Sequence, residues 1–264
     1  MTELGPILRA NALLVTALML ATWLVSLWRR NASIVDVVWG PGFSAVALST
    51  SLLAHGAPAR RALVASLAAI WGLRLGGYLF WRNHGKPEDF RYQAMRRHWG
   101  ARFPLVSLVS VFTLQGVLMF AISLPLQVAQ VAAEPAELGL LDALGALLFL
   151  VGMAFETGGD WQLARFRADP RNAGRVLDTG LWRYTRHPNY FGDCVVWWGF
   201  FAIAAATPGG VYTVVSPILM TILLRRVSGV SLLERSLAKR KPGYAEYMAR
   251  TSPFIPAPPH RPPR

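Results

Sequence analysis

The chain has 264 residues, of which 53% are hydrophobic and 16% are charged, and its formal net charge is +13 at pH 7. Long apolar runs between short polar blocks are typical of polytopic membrane proteins and exclude an ordinary soluble enzyme. A chain of 264 residues has room for one transmembrane bundle but not for a separate soluble domain of ordinary size as well. Residues 1–264 are therefore interpreted as a single transmembrane domain.

Seven apolar segments follow one another and predict an all-α fold, a polytopic bundle of seven transmembrane helices. The last two are short against the roughly 20 residues that a straight span requires. They share the linker Thr207–Gly210, which indicates a tilted hairpin. The segments are Ile7–Trp28, Ile34–Leu53, Ala62–Trp81, Phe103–Val128, Leu138–Gly158, Phe191–Ala206 and Val211–Leu224.

The 27 lysines and arginines fall almost entirely on one side of this arrangement. By the positive-inside rule, the N-terminus faces out and the C-terminus faces the cytoplasm. On the opposite side, Glu134, Glu137 and Asp142 fall between the fourth and fifth segments. Topology and contact with the anionic headgroups of the lipid bilayer explain the basic side. A nucleic-acid partner is not predicted, because no nucleic-acid-binding motif accompanies these residues.

Other chemistries are excluded by residue type. Cys194 is the only cysteine and the five histidines are scattered, so no metal site is predicted. The letters of Gly40–Ala45 match a dinucleotide-binding pattern, but no strand precedes them. We interpret this stretch as helix packing in the second segment.

Ionisable residues at membrane depth are expected to face the bundle interior, because a charge exposed to lipid is costly. Glu156 and Asp160 are four residues apart, which places both carboxylates on one helix face. Gly158 and Gly159 between them would let a flat ligand or another backbone approach. The alternative is a solvated helix end. The five ionisable residues are Asp36, Arg74, Glu156, Asp160 and Asp193.

Asn189 and Asp193 repeat the four-residue spacing at the start of the sixth segment. Pro188 suits the first turn of a helix, so we expect this helix to begin there. Carboxylates and an amide can bind hydroxyl and carboxamide groups, and arginines can bind phosphates. This set of side chains suits a nucleotide cofactor, and it also suits a sulfonium cofactor that carries adenosine. The arginines between the two pairs are Arg165, Arg167, Arg171, Arg175, Arg183 and Arg186.

The run G-L-W-R-Y-T-R-H-P-N-Y-F-G-D (Gly180–Asp193) and the tail Leu232–Pro256 resemble the C-terminal domain of the steroid 5-alpha-reductase family, in particular its bacterial membrane branch. The specific match extends from Glu156 onward, and R-H-P-N-Y alone is shared with sterol reductases and isoprenylcysteine carboxyl methyltransferases. The resemblance implies an integral, multi-pass protein of the bacterial inner membrane. It also implies an NADPH site facing the cytoplasm, over approximately residues 156–256.

The implied activity is that of an oxidoreductase of steroid or lipid metabolism, similar to a 3-oxo-delta-4-steroid 5-alpha-reductase. It would reduce a carbon–carbon double bond in a steroid or terpenoid enone. Glu156 stands where the family usually has an amide. Lys86, in a loop that resembles the family's phosphate-contacting loop, and Arg171 are further candidates, as are Glu234 and Tyr247 in the tail. The family's cofactor positions correspond here to Glu156, Asp160, Arg167, Asn189 and Asp193.

The developing charge on the substrate ketone requires a fixed hydrogen-bond donor. Family reductases use a Gln-Glu pair in the second helix and a Tyr in the third, but the second segment here has no such pair. Asp36 is its nearest acid, and a carboxylic acid kept protonated by an apolar setting could donate this bond. Arg74 and Tyr78 share one face of the third segment with Trp71, and Arg74 could pair with Asp36 or bond the carbonyl itself. The alternative for Asp36 and Arg74 is a buried ion pair that fixes helix register. Trp39 and Trp71 are either bundle packing or the wall of a substrate cavity.

Two rival functions stay open. The first is an S-adenosylmethionine-dependent methyltransferase acting on a lipid or an isoprenylcysteine-type carboxyl group. The tails of isoprenylcysteine methyltransferases carry two adjacent Glu, whereas this chain has Leu233 followed by Glu234. The second is a non-catalytic membrane protein, which would leave both acid-containing pairs without a purpose.

Overall fold

The computed structural model describes residues 3–227, 230, 234, 237, 238 and 241–259. Within these ranges every regular element is a helix. Five helical runs there have the length and the apolar composition needed to cross a bilayer. The prediction of an all-α integral membrane protein is confirmed, whereas the count of seven spans and the orientation of the termini stay predictions.

The chain forms two compact units. Unit 1 comprises the residues up to Asp142 together with Ile203–Ser216, and unit 2 comprises Ala143–Ala202 and the residues from Pro217 onward. The helices are α1 (Leu4–Arg29), α2 (Ile34–Leu53), α3 (Pro58–Asn83), α4 (Phe90–Trp99), α5 (Phe103–Ser107), α6 (Leu114–Ile122), α7 (Leu124–Val131), α8 (Leu140–Ala168), α9 (Pro188–Ala205), α10 (Val215–Ile222) and α11 (Tyr244–Arg250).

In unit 1, α2 and α3 touch through glycines. A methyl group at Gly40 would lie 2.5 Å from the carbonyl oxygen of Gly72, and one at Gly72 would lie 2.3 Å from the carbonyl oxygen of Gly40. Small residues allow such close backbone approach between membrane helices. The interpretation of the Gly40–Ala45 stretch as helix packing is therefore confirmed.

The helical run that contains the fourth predicted segment begins earlier than expected. It extends from Phe90 to Val131 over 42 residues and includes a 3₁₀ turn at Gly100–Arg102 and a π-helix at Leu108–Thr113. Its start follows from capping, because the side chain of Asp89 accepts the backbone N–H of Arg91 at 2.9 Å. A segment defined by hydrophobicity alone could not include the polar first helix.

Buried amides join three helices of unit 1. The Nδ2 of Asn11 in α1 donates to Thr50 Oγ1 in α2 at 2.8 Å and to Gln127 Oε1 in α7 at 2.9 Å. All three side chains are fully buried. Such hydrogen bonds hold membrane helices together where no hydrophobic driving force distinguishes helix from lipid.

A buried ion pair also lies in unit 1. Arg60, in the first turn of α3, donates from Nε to Asp142 Oδ1 at 2.8 Å and from Nη2 to Asp142 Oδ2 at 3.1 Å. The guanidinium donates further to the carbonyl oxygens of Pro135 and Glu137, and Asp142 accepts the backbone N–H of Gly139. Both side chains are almost completely buried. The contacts hold the α7–α8 loop against the start of α3.

In unit 2, α8 and α9 are in backbone contact. A methyl group at Gly192 would lie 2.4 Å from the backbone nitrogen of Glu156, and one at Gly199 would lie 2.7 Å from the carbonyl oxygen of Gly145. We call these contacts the glycine seam. The helix α8 continues past Gly158, where the fifth predicted segment ended, and α9 begins at Pro188 as expected.

The seventh predicted segment is not one helix. It consists of a 3₁₀ turn at Gly210–Val214, the short helix α10 and a π-helix at Leu223–Val227. Apolar composition in this stretch was correctly recognised, but composition does not reveal where the hydrogen-bonding pattern changes.

Candidate functional site

Two of the predicted site residues, Asp160 on α8 and Asn189 on α9, meet in unit 2. Asn189 Nδ2, in the first turn of α9, donates to Asp160 Oδ1 on α8 at 3.0 Å. The Oδ1 of Asn189 accepts the backbone N–H of Tyr190 at 3.1 Å, which fixes the orientation of the amide. The extension of α8 beyond Gly158 makes this contact possible, because it carries Asp160 up to the start of α9.

Glu156 and Asp193 lie beside this contact. The glycine seam brings Gly192, the neighbour of Asp193, against the backbone of Glu156. The side chains of Glu156, Asp160 and Asp193 are all buried. The structure therefore gathers three carboxylates and one amide in a confined place, and we call Glu156, Asp160, Asn189 and Asp193 the acid–amide cluster. Carboxylates so placed accept hydrogen bonds from hydroxyl and amide groups.

Gly159 takes part through its backbone. A methyl group at Gly159 would lie 3.0 Å from the backbone nitrogen of Asn189. Of the two possibilities left open by the sequence, the structure shows the approach of another backbone at this residue. The start of α9 occupies that space.

A chain of hydrogen bonds supports α8 from the tail. The indole Nε1 of Trp182 donates to the carbonyl oxygen of Gly159 at 3.1 Å, and the hydroxyl of Tyr247 donates to the carbonyl oxygen of Trp182. Burial raises the pKa of the Tyr247 phenol above its ordinary value, so the hydroxyl keeps its proton at neutral pH. Its observed contact is internal, and its predicted contact with a cofactor stays a prediction. Sequence reasoning missed Trp182.

Glu234 anchors the tail to the R-H-P-N-Y motif. It accepts from Arg186 Nε at 2.7 Å and Nη2 at 3.2 Å, and His187 Nε2 lies 3.1 Å from the same carboxylate. Arg186 Nη1 also donates to the carbonyl oxygens of Met248 and Thr251. Burial acts to raise the pKa of Glu234, but the hydrogen bonds from His187 and Arg186 outweigh it and lower the pKa below its ordinary value. The role of Glu234 towards a cofactor stays a prediction.

The predicted phosphate-binding residues have different surroundings. Arg171 is exposed, and its Nη2 lies 2.8 Å from Asp169 Oδ2, so an acid of its own loop already accompanies it. Burial and the nearby charge of Arg167 lower the pKa of Lys241, which donates from Nζ to the carbonyl oxygen of Arg175 at 2.6 Å. The positive charge of Arg167 is thus felt at Lys241, and both are cations of the kind that bind phosphate. The basic tail sequence was the only signal for Lys241.

The predicted catalytic acid in unit 1 has partners that the sequence did not single out. Asp36, in the first turn of α2, accepts from the hydroxyl of Tyr92 at 3.2 Å and from Arg91 Nη2 at 3.3 Å. Arg91 also donates from Nε to Asp89 at 2.8 Å. The predicted pairing of Asp36 with Arg74 stays a prediction. Nothing in residue spacing could have placed α4 beside α2.

The aromatic residues of unit 1 pack on one another. Phe43 contacts the rings of Trp39 and Trp71, with centroid separations of 5.1 Å and 5.7 Å. Trp71 is fully buried. The guanidinium of Arg74 lies 5.5 Å from the ring centroid of Tyr78.

Lys86 is also in unit 1 and is exposed in the loop after α3. In the part of the chain that the structure describes, no three His, Cys, Asp or Glu residues are arranged to hold a metal ion. That the protein needs no metal stays a prediction.

The helices and the acid–amide cluster define an integral membrane protein with a buried polar site. Comparison with known families assigns it further. Residues 22–251 match the family described as "Protein of unknown function (DUF1295)". The chain belongs to the DUF1295 family.

Three curated proteins are similar to this chain, each over only part of its own length. An uncharacterized protein of Schizosaccharomyces pombe is 27% identical over 212 residues, which cover 69% of this chain and 60% of the relative. The Delta(14)-sterol reductases of Schizosaccharomyces pombe and Ascobolus immersus are each 32% identical over 89 residues, 28% of this chain and 21% of theirs. The chain thus covers less than two thirds of these relatives. No solved structure matches it.

Proposed function

We propose that the protein is a membrane-embedded, NADPH-dependent reductase of an enone carbon–carbon double bond in a hydrophobic substrate, similar to a 3-oxo-delta-4-steroid 5-alpha-reductase. The proposal includes seven spans, an outward N-terminus and a cofactor site facing the cytoplasm of a bacterium. The observation that carries it is the acid–amide cluster, in which Asn189 and Asp160 bond across two helices at 3.0 Å.

The family gives independent support. DUF1295 is a steroid 5-alpha-reductase-like family, and two of the relatives are named as Delta(14)-sterol reductases. A membrane reductase acting on a sterol-like or terpenoid molecule is consistent with both findings.

The residues of unit 2 have the donor and acceptor types that NADPH requires. The amide of Asn189 and the carboxylates of Glu156, Asp160 and Asp193 can bond carboxamide and hydroxyl groups. Arg167, with Lys241 beside it, can bond phosphate. Bound NADPH would supply the hydride, and the protein would hold the dinucleotide and exclude water.

The residues of unit 1 are proposed to act on the substrate. Reduction adds a hydride to the β carbon and a proton to the α carbon, and negative charge develops on the ketone oxygen. Arg74 and Tyr78 are the proposed donors to that oxygen. Asp36, which accepts hydrogen bonds from Arg91 and Tyr92, is the third proposed catalytic residue, as a donor to the same oxygen or as the partner of Arg74. Trp39 and Trp71 are proposed substrate contacts.

Cofactor binding is tested by thermal unfolding of the full chain in detergent with NADPH, NADH and S-adenosylmethionine added separately. A ligand at 100 times its dissociation constant stabilises the folded state by about 2.7 kcal/mol. For a chain of this size that raises the melting temperature by roughly 5–11 °C. We expect the largest rise with NADPH. A rise with S-adenosylmethionine alone would refute the reductase proposal and favour the methyltransferase.

Two variants locate the binding site. Asn189→Leu and Asp193→Ala should each remove the NADPH-dependent rise, because each deletes a polar group of the acid–amide cluster. Glu246→Gln is the matched control, since Glu246 is an exposed acid on α11. Elution as a single species in gel filtration shows that a variant is folded. A folded variant that keeps the full rise removes its residue from the site.

Turnover is measured in membranes supplied with NADPH and either testosterone or progesterone. Mass spectrometry should detect a product that has gained two hydrogen atoms. Asp36→Asn should lose turnover and keep the NADPH-dependent rise in melting temperature. Loss of folding in this variant would instead favour a structural ion pair.

A further inference from the structure

An exposed apolar stripe runs along α8 in unit 2. Leu147 and Leu150 are more than half exposed, at 57% and 62%, and Val151 is also exposed. In a helix that crosses a membrane, such a stripe faces the acyl chains of lipids. At 3.6 residues per turn, Trp161 follows Leu150 by just over three full turns and Arg165 follows Val151 by almost four. Trp161 and Arg165 therefore extend the same stripe towards the basic end of the helix.

Trp161 and Arg165 line one wall of a groove of about 350 Å³. The guanidinium of Arg165 lies over the ring of Trp161, 5.4 Å from its centroid, and the Trp161 side chain is 59% exposed. Tryptophan is enriched where a membrane helix meets the headgroups. Gln162 and Asp169 also line this groove.

The polar groups of this groove favour an anion. Asp169 is the acid in the lining, and its negative charge is balanced by the guanidinium of Arg171, which it bonds. The carbonyl oxygen of the Gln162 amide accepts the backbone N–H of Leu181 at 3.0 Å, so its NH₂ group is directed away from that contact. The charge of Arg165 and the amide of Gln162 thus present donors to the groove.

The groove is separate from the acid–amide cluster. Gln162 and Asp169 follow Asp160 by two and nine residues, each about half a turn off a whole number of turns. They lie on the face of α8 opposite to Asp160. Arg167 follows Asp160 by about two full turns and shares its face instead.

We propose that this groove binds the headgroup of an anionic phospholipid from the bilayer. The acyl chains lie along the stripe that contains Leu147 and Leu150, Trp161 sits at the level of the glycerol, and Arg165 bonds the phosphate. The inference is independent of the proposed reductase activity, because it uses the other face of α8.

The test is native mass spectrometry of the full chain, released from nanodiscs that contain equal amounts of phosphatidylglycerol and phosphatidylcholine. We expect retained adducts of phosphatidylglycerol on the wild type. In Arg165→Gln they should be about fivefold weaker, which corresponds to the roughly 1 kcal/mol that a basic residue contributes near anionic lipid. Arg183→Gln is the matched control, since it removes the same charge from an exposed residue outside the groove.

Two further measurements separate this site from other sources of binding. Arg165→Lys should restore part of the phosphatidylglycerol retention, and Trp161→Leu should weaken it while leaving the stripe apolar. Equal loss in Arg165→Gln and Arg183→Gln would overturn the proposal, because retention would then depend on net charge alone. Displacement of the lipid by added NADPH would also overturn it, since the groove would then belong to a nucleotide site.

Discussion

We predict that breaking the buried ion pair of Arg60 and Asp142 destabilises the protein, and the contacts of the pair indicate by how much. Arg60→Met removes four hydrogen bonds and leaves the Asp142 carboxylate with the backbone N–H of Gly139. Asp142→Leu removes three and leaves Arg60 bonded to two carbonyl oxygens. Each single change leaves an uncompensated charge in a buried place.

Removing one member of a buried ion pair costs about 3–5 kcal/mol of folding free energy. For a chain of this size the melting temperature should fall by roughly 6–20 °C. The larger fall is expected for Arg60→Met, because it also leaves the carbonyl oxygens of Pro135 and Glu137 without these donors. The double variant should lose much less than the sum of the two, since both charges are gone.

The assay is thermal unfolding of the purified protein in detergent for wild type, the two single variants and the double variant. Arg9→Met is the control, because Arg9 is an exposed arginine in unit 1 and its loss should change the melting temperature little. Strict additivity of the two single effects would refute the coupling. So would an Arg60→Met effect no larger than that of Arg9→Met.

Two more predictions concern unit 2. Gly192→Ala should lower the melting temperature and weaken NADPH binding, because its methyl group would lie 2.4 Å from the backbone nitrogen of Glu156. Gly77→Ala is the control and should not destabilise the protein, since no heavy atom lies within 4 Å of its new methyl group. Equal melting temperatures of the two variants would contradict the glycine seam. The pKa of Glu234 lies below its ordinary 4.5, so its stabilisation is complete above that pH and is lost as the pH falls through the lowered pKa. The difference in melting temperature between wild type and Glu234→Gln should therefore shrink below pH 4.5, and a constant difference would contradict this.

Hydrophobic patterning predicted the helices of unit 1 well. The second segment has the same bounds as α2, Ile34–Leu53, because a long apolar run in a membrane protein can satisfy its backbone groups only as a helix. The polar helix α4 was not predicted, because it carries no apolar run and hydrophobic patterning detects only apolar runs. Its side chains nonetheless bond Asp36.

Local spacing predicted part of the candidate site. The spacing of Glu156 and Asp160, and of Asn189 and Asp193, placed each pair on one helix face. Residue spacing within one segment could not predict contacts between segments that are distant in the sequence. Asp142 was predicted to lie on the side with few basic residues, yet only the folded chain shows that it bonds Arg60. The contact of Tyr247 with Trp182 joins residues 65 positions apart, and no sequence period encodes such a distance.

The glycine seam has a kinetic consequence for unit 2. Where the backbones of α8 and α9 touch, no side chain lies between them that could rotate aside and open a passage. A ligand of the acid–amide cluster therefore cannot pass between α8 and α9 by side-chain rotation alone, and that route would open only if the two helices separated.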